Sequence, residues 1–277
     1  MLHVSFKPDA PVMSIGEFAT IKAKIDALAP DGIQAYALTW AAPYRVDCMS
    51  ITSAFAFGFD RGYCAQGCKG TKANPYFNST SALPFHDHKI RPTISIAGSS
   101  VAEAKKLIDR GIIADGTRPR GTAYLVTTPD QARSVRSMYF PLASKAVSQS
   151  SGILVAQVRA PYIENRNDIM FYFTGAAKVP RIETNTFLPG AIADHLTSTG
   201  GQLTDSSQMS ALRWLDAGAT GSYGTVVEPC NLVAKFPNPA IVIAFYSRGA
   251  TMIEAYWKSV AMPGQGIFIG EPLARPY

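Results

Sequence analysis

The sequence predicts a three-layer α/β domain, a mostly parallel sheet with helices on both faces, carrying one long loop-rich insertion. Three observations predict it. Short apolar runs alternate along the chain with segments whose apolar residues recur at helical spacing. Those runs are apolar throughout rather than at every second residue, as strands covered on both faces are. A chain of 277 residues with 47% hydrophobic content can bury a large core and still lie near the upper size of one domain. Residues 1–277 are therefore read as a single domain. No repeat of solenoid or propeller length is visible, which excludes those architectures.

The elements follow in order. LHVSF is strand-like at the start, and SIGEFATIKAKIDALAP places Ile15, Phe18, Ile21, Ile25 and Leu28 on one helix face. IQAYALTW is a buried strand bounded by Gly32 and Pro43. Residues 54–92 then turn rich in Gly, Pro, Asn, Ser and aromatics without a period, the mark of an insertion that needs an internal staple. RPTISIAG reads as a strand and SSVAEAKKLIDRG as a helix, capped by Ser99 or Ser100 and ended by Gly111. GTAYLVTT is a strand, followed by a helix over PDQARSVRSMYFPLASKAV begun by Pro129 and Asp130. ILVAQVRA and IMFYFTG are further apolar strands. SSQMSALRWLDAG follows FLPGAIADHLTS, with Met209, Leu212, Trp214 and Leu215 on its apolar side. AIVIAFYS, the helix TMIEAYWKSVA and the strand GIFIGEPL close the chain.

Composition narrows the function classes. The formal charge is +6, but charged residues are only 17% of the chain and the Lys and Arg are scattered, so nucleic-acid binding is not indicated. No apolar stretch reaches the roughly 18 residues of a membrane span. The start has no signal-peptide pattern, and its direct opening into LHVSF suggests that an upstream segment is missing from this numbering. Cys48, Cys64, Cys68 and Cys230 form an even set that permits three pairings. Disulfides are favoured over buried thiols and over a metal site, which lacks two CxxC knuckles. Oxidised cysteines would mean a periplasmic or extracellular home.

Sheets of this kind place chemistry in the crevice outside the carboxyl ends of their strands. The segments to inspect are Thr39–Arg45, Thr127–Asp130, Thr174 and Gly175, Asp194–Gly201, and Gly221–Glu228. GAIADHLTSTGG supplies Asp194, His195 and Ser198, the residue types of nucleophilic acyl transfer, with Thr197 beside them. Strand phase argues against that use, because Asp194 and His195 point to opposite faces, and no GxSxG elbow exists. In PFHDHKIRP, His86 and His88 are candidate metal ligands if the segment is extended, although no third ligand is identifiable. GATGSYGTVVEPC is glycine-rich but matches no nucleotide-binding motif; its glycines are read as allowing sharp turns, with Glu228 near the crevice. Arg45, Asp130, Arg133 and Arg136 are the remaining polar groups near strand ends. Arg133 and Arg136 are three apart, so they could clamp a carboxylate or pair with a neighbouring acid. Nothing here implies a cofactor.

LTWAAPYRV, CMSITSAFAFGFD, GTAYLVTTPDQARSVRS, DHLTSTGGQL, AGATGSYGTVVEPC and EAYWKSV with GIFIGEPLARP resemble the signature segments of an uncharacterised bacterial family found in genomes with the exosortase sorting system. The resemblance spans most of the chain. It implies a secreted protein, and an N-terminus truncated or processed relative to members with an upstream strand and helix. More distantly, the second half is similar in layout to gingipain- and caspase-like cysteine peptidases. That layout would put Thr174-Gly175 where those enzymes have His-Gly, and Thr197 and Ser198 at the Cys position. It implies a pseudopeptidase without base or nucleophile.

The expected function is thus a secreted, non-catalytic binding or structural protein of the cell envelope or extracellular material. The alternative is a peptidase-like hydrolase using His195 with Ser198 or Thr197. The expected contact surface, for a protein partner or self-assembly, is residues 54–92, with Phe55, Phe57, Phe59, Tyr63, Tyr76 and Phe77.

Overall fold

A computed structural model describes residues 3–65, 67–147 and 151–277. Its strands are β1 (Val12–Met13), β2 (Tyr36–Leu38), β3 (Arg45–Val46), β4 (Met49–Ser50), β5 (Thr93–Ser95), β6 (Thr122–Thr127), β7 (Leu154–Arg159), β8 (Ile169–Gly175), β9 (Phe187–Leu196), β10 (Gly221–Thr225) and β11 (Gly266–Gly270). The α-helices are α1 (Ile15–Leu28), α2 (Ile51–Phe57), α3 (Pro84–His88), α4 (Val101–Ala114), α5 (Phe140–Ala146), α6 (Leu212–Asp216), α7 (Pro239–Tyr246) and α8 (Met252–Ser259).

Eight strands form the main sheet in the order β2-β5-β11-β10-β9-β8-β6-β7. Every neighbouring pair is parallel except β10 with β11. The sheet is therefore two parallel blocks running in opposite directions, joined at one antiparallel seam. A consequence for function is that the carboxyl ends of β6, β8, β9 and β10 share one edge, while those of β2, β5 and β11 lie at the other.

Period-two alternation builds the layers. On one face Leu125, Phe173, Ile192, Tyr223 and Phe268 pack with Phe140 of α5, Ile243 of α7 and Trp257 of α8. The other face carries two clusters. Tyr124, Tyr172 and Ala193 meet Trp214 there, and Ile267 and Ile269 meet Phe18 of α1, Leu107 of α4 and Leu215 of α6. Helices thus cover both faces, as the uninterrupted apolar strands require.

Several local expectations are corrected. Of LHVSF, Leu2 lies outside the described residues and Val4–Phe6 form no strand, packing instead with Phe6 against Trp40. α4 starts at its Ser100 cap but runs through Gly111, which packs on Glu271. PDQARSVRSMYFPLASKAV does not begin a helix at Pro129. It forms a turn, a 3-10 stretch over Ser134–Tyr139 and then α5, because Pro141 cannot sit inside a continuous α-helix. In GATGSYG, Gly218 does serve a turn, but the segment from Gly221 onward is strand β10. AIVIAFYS, to which the sequence alone assigns no element, is a helix, α7, capped by Asn238 with Pro239 in its first turn.

The insertion at 54–92 is stapled not by a Cys pair inside it but by bridges from Cys64 to Cys48 and from Cys68 to Cys230, partners that both lie outside it, and its aromatics turn inward. Phe55 and Tyr76 are fully buried, Phe57 stacks on Tyr63 and meets Trp257, and only Phe77 of the six is exposed. The aromatic argument for a partner surface there is therefore removed, since these rings belong to the core.

Cys48 pairs with Cys64 and Cys68 with Cys230, which fits an oxidising compartment. Among the described residues, no helix is long and apolar enough to cross a membrane. The Cys68–Cys230 bridge spans 162 positions of sequence and Cys48–Cys64 spans 16. Loop closure entropy grows with loop length. Cys68→Ser/Cys230→Ser is expected to cost about 3–5 kcal/mol and Cys48→Ser/Cys64→Ser about 2–3 kcal/mol in urea denaturation. An equal or reversed ranking would count against loop closure as the main contribution.

Candidate functional site

β9 runs through the interior of the eight-strand sheet, between β10 and β8, and its residues from Gly190 to Leu196 are all buried. In register with β8, Thr174 lies opposite His195 and Gly175 opposite Leu196. Asp194 faces the side of α5, α7 and α8, and His195 faces the side of Trp214, so strand phase separates them as expected.

Asp194 is 1% exposed, and a buried carboxylate needs a counter-charge. Arg136 supplies it, with Nη1 2.5 Å from Oδ1. The better aligned bonds of that guanidinium go to backbone carbonyls: Nη2 donates to Thr174 at 2.9 Å and to Asp194 at 3.4 Å. Its remaining face lies 5.2 Å from the Phe173 ring. Burial pushes the Asp194 carboxyl above the usual range, and Arg136 pulls it back. Tyr256 lies beside the carboxylate, and burial drives its phenol well up. Arg136 does clamp a carboxylate, but one of its own chain.

His195 is equally closed. Its Nδ1 accepts from the Trp214 indole N–H at 2.9 Å, and its Nε2 meets the Met209 carbonyl at 3.1 Å. An indole only donates and a carbonyl only accepts, so these partners fix a neutral imidazole with the proton on Nε2. Burial lowers its pKa to about 3, opposed by the hydrogen bond to Met209 and reinforced by the charges of Arg136 and Arg133. The resulting stability is fully present above pH 6.5 and is lost as pH falls toward 3. A histidine held this way has no lone pair for a substrate proton. Neither Ser198 nor Thr197 bonds it, so the structure does not assemble an Asp-His-Ser triad.

The strand ends themselves form a cleft of about 400 Å³ lined by Ala132, Arg133, Leu196, Thr197, Ser198 and Glu228, with the Cys68–Cys230 bridge in its wall. Arg133 donates from Nη1 to Asp130 at 2.8 Å and from Nε to Thr197 Oγ1 at 3.3 Å, and Nη2 bonds none of the described residues. Thr197 in turn donates to Gln208 Oε1 at 2.6 Å, which occupies its hydroxyl. Glu228 is exposed and accepts the Cys230 backbone N–H at 2.7 Å.

Two glycines shape this edge. A Cβ on Gly175 would lie 1.9 Å from the Arg133 carbonyl, so only glycine lets the turn carrying Arg133 cross the end of β8. A Cβ on Gly224 would lie 2.4 Å from the Gly201 nitrogen, and its absence lets the loop after β9 lie on β10.

The other expected residues separate. Thr174 is buried beside Arg136 and offers its carbonyl inward rather than to the cleft. Arg45 belongs to the small β1-β3-β4 sheet and is not part of the cleft, because the chain leaves β2 at the opposite edge. His86 and His88 lie on α3, not on an extended segment, so two-residue spacing splays them. His86 bonds Asp87 at 2.7 Å and His88 bonds Ser79 at 3.0 Å; among the described residues no metal-ligating cluster exists. Trp214 and Gln208, which decide what His195 and Thr197 do, gave no signal as site residues in the sequence.

No family model, curated protein or solved structure matches the chain.

The ion pair sets a stability prediction. Arg136→Met should cost about 3–5 kcal/mol by leaving Asp194 unpaired, and Arg136→Met/Asp194→Leu should be less destabilised than Arg136→Met alone. Urea denaturation of the three proteins checks this; simple additivity of the two substitutions would show that the pair is not coupled.

Proposed function

We propose that this chain is a secreted, non-catalytic binding protein on a caspase-like α/β scaffold, using the strand-end cleft as its ligand site. The observation that carries the proposal is the double anchoring of His195 to Trp214 and Met209, with no histidine among the described residues that line the cleft. The adjacency of Thr174-Gly175 and Thr197-Ser198 at neighbouring parallel strand ends fits the layout that a related peptidase would use for its base and thiol. Here those positions carry a buried threonine, a glycine pressed on backbone, and two hydroxyls without a general base. Such a site can hold a ligand but has no group to activate a nucleophile.

Binding chemistry is supported by what remains open. The cleft combines the unpaired edge of Arg133 and the Ser198 hydroxyl with the Glu228 carboxylate on another part of its wall. Leu196, Ala132 and the disulfide give it apolar walls. The two disulfides support an extracellular or periplasmic setting, and an envelope role follows from that setting together with the sequence resemblance.

Native protein is expected to resist fluorophosphonate and epoxide probes that label activated serine and cysteine nucleophiles. Labelling that depends on His195 or Ser198, lost in His195→Ala or Ser198→Ala, would establish the hydrolase reading instead.

A further inference from the structure

At the amino ends of β6, β7 and β8, on the opposite edge from the cleft just described, lies a separate cleft of about 600 Å³. Arg118, Arg120, Thr122, Ser151, Leu154 and Asp168 line it. Among the described residues its lining side chains are polar or charged apart from Leu154, although the arginine stems and Leu154 also give it apolar surface. The arginines and the acid differ in how they are engaged. Thr122 Oγ1 donates to one Asp168 oxygen at 2.5 Å and Tyr124 OH to the other at 2.9 Å, so the carboxylate is bound into the wall. Arg118 and Arg120 are exposed, and neither pairs with an acid or makes a side-chain hydrogen bond among the described residues. Arg166 adds a third guanidinium nearby, 5.7 Å from the ring of the same Tyr124.

We infer that this second cleft binds a phosphate or sulfate group through Arg118 and Arg120. Two unpaired guanidiniums in one concavity offer paired donors to a tetrahedral oxyanion, and such charge-assisted bonds are the strong ones. The Ser151 and Thr122 side chains add polar wall, and Gly152, with positive φ, sets backbone free of a side chain beside Arg120. A divalent cation is disfavoured, because the one carboxylate lining the cleft among the described residues, Asp168, already accepts hydrogen bonds from two hydroxyls. The inference is independent of the strand-end cleft, since the two share no lining residue.

The test is calorimetric titration of the full chain with inorganic phosphate, pyrophosphate and dextran sulfate at near-physiological salt. Saturable binding of at least one probe is expected, weakened by about tenfold or more in Arg118→Gln/Arg120→Gln. Lys178→Gln/Arg213→Gln removes equal charge from a different cleft and should leave affinity nearly unchanged. Response to phosphate or pyrophosphate points to a free ligand, and response to dextran sulfate alone points to an oxyanion borne on a polymer; both support the site. In wild-type protein, amide shifts on binding should centre on Thr122 and Gly152, a readout that needs no variant. No saturable binding of any probe, equal weakening by both double substitutions, or shifts centred elsewhere would overturn the inference.

Discussion

A polar side chain on a fully buried central strand must find its partner inside the protein, and β9 carries two such side chains in succession. Asp194 and His195 are each about 1% exposed, on opposite faces of the same sheet. Each is met by one large residue from a covering layer: Arg136 from the segment before α5, and Trp214 from α6. These two contacts tie both outer layers to the centre of the sheet. With the Met209 carbonyl they also engage both ring nitrogens of His195, and they seal Asp194 in the interior against Arg136, away from any substrate. Leaving either unpaired would cost more than the contact itself contributes, so the partners are as constrained as the residues they serve.

The antiparallel seam between β10 and β11 determines which residues can act together. It turns the strands into two opposed blocks, so the segments after β6, β8, β9 and β10 converge and the segment after β2 does not. Close backbone approach at Gly175 and Gly224 draws the converging loops over the strand ends, leaving a cleft framed by Arg133, Ser198 and Glu228. The Cys68–Cys230 bridge ties the long insertion to the same edge. The insertion is therefore part of the cleft wall, and its aromatic rings serve the core beneath.

The fold class was legible in the sequence because apolar periodicity is a local signal. Buried strands such as IMFYFTG and the cap at Ser100 declare themselves within a few residues. What was not legible depended on distant contacts. GATGSYG reads as turn chemistry, yet its small residues fit a strand pressed by Met252 and the Gly200–Gly201 backbone. AIVIAFYS lacks an apolar stripe because α7 is buried on most sides, so only its Asn-Pro start betrays the helix. The opposite pointing of Asp194 and His195 followed from strand phase alone. That Arg136 would select Asp194, or Trp214 select His195, did not, because those partners lie 58 and 19 positions away in the chain.

The central claim is that His195 is a neutral structural anchor rather than a base. Nitrogen-15 NMR of the imidazole at successively lower pH tests it most directly, because the two ring nitrogens report proton placement separately. A fixed tautomer, protonated at Nε2 and bare at Nδ1, should persist well below the ordinary histidine range, toward a pKa of about 3. A ring that titrates near pH 6.5, or that carries its proton on Nδ1 at neutral pH, would contradict the account and return His195 to the list of candidate bases.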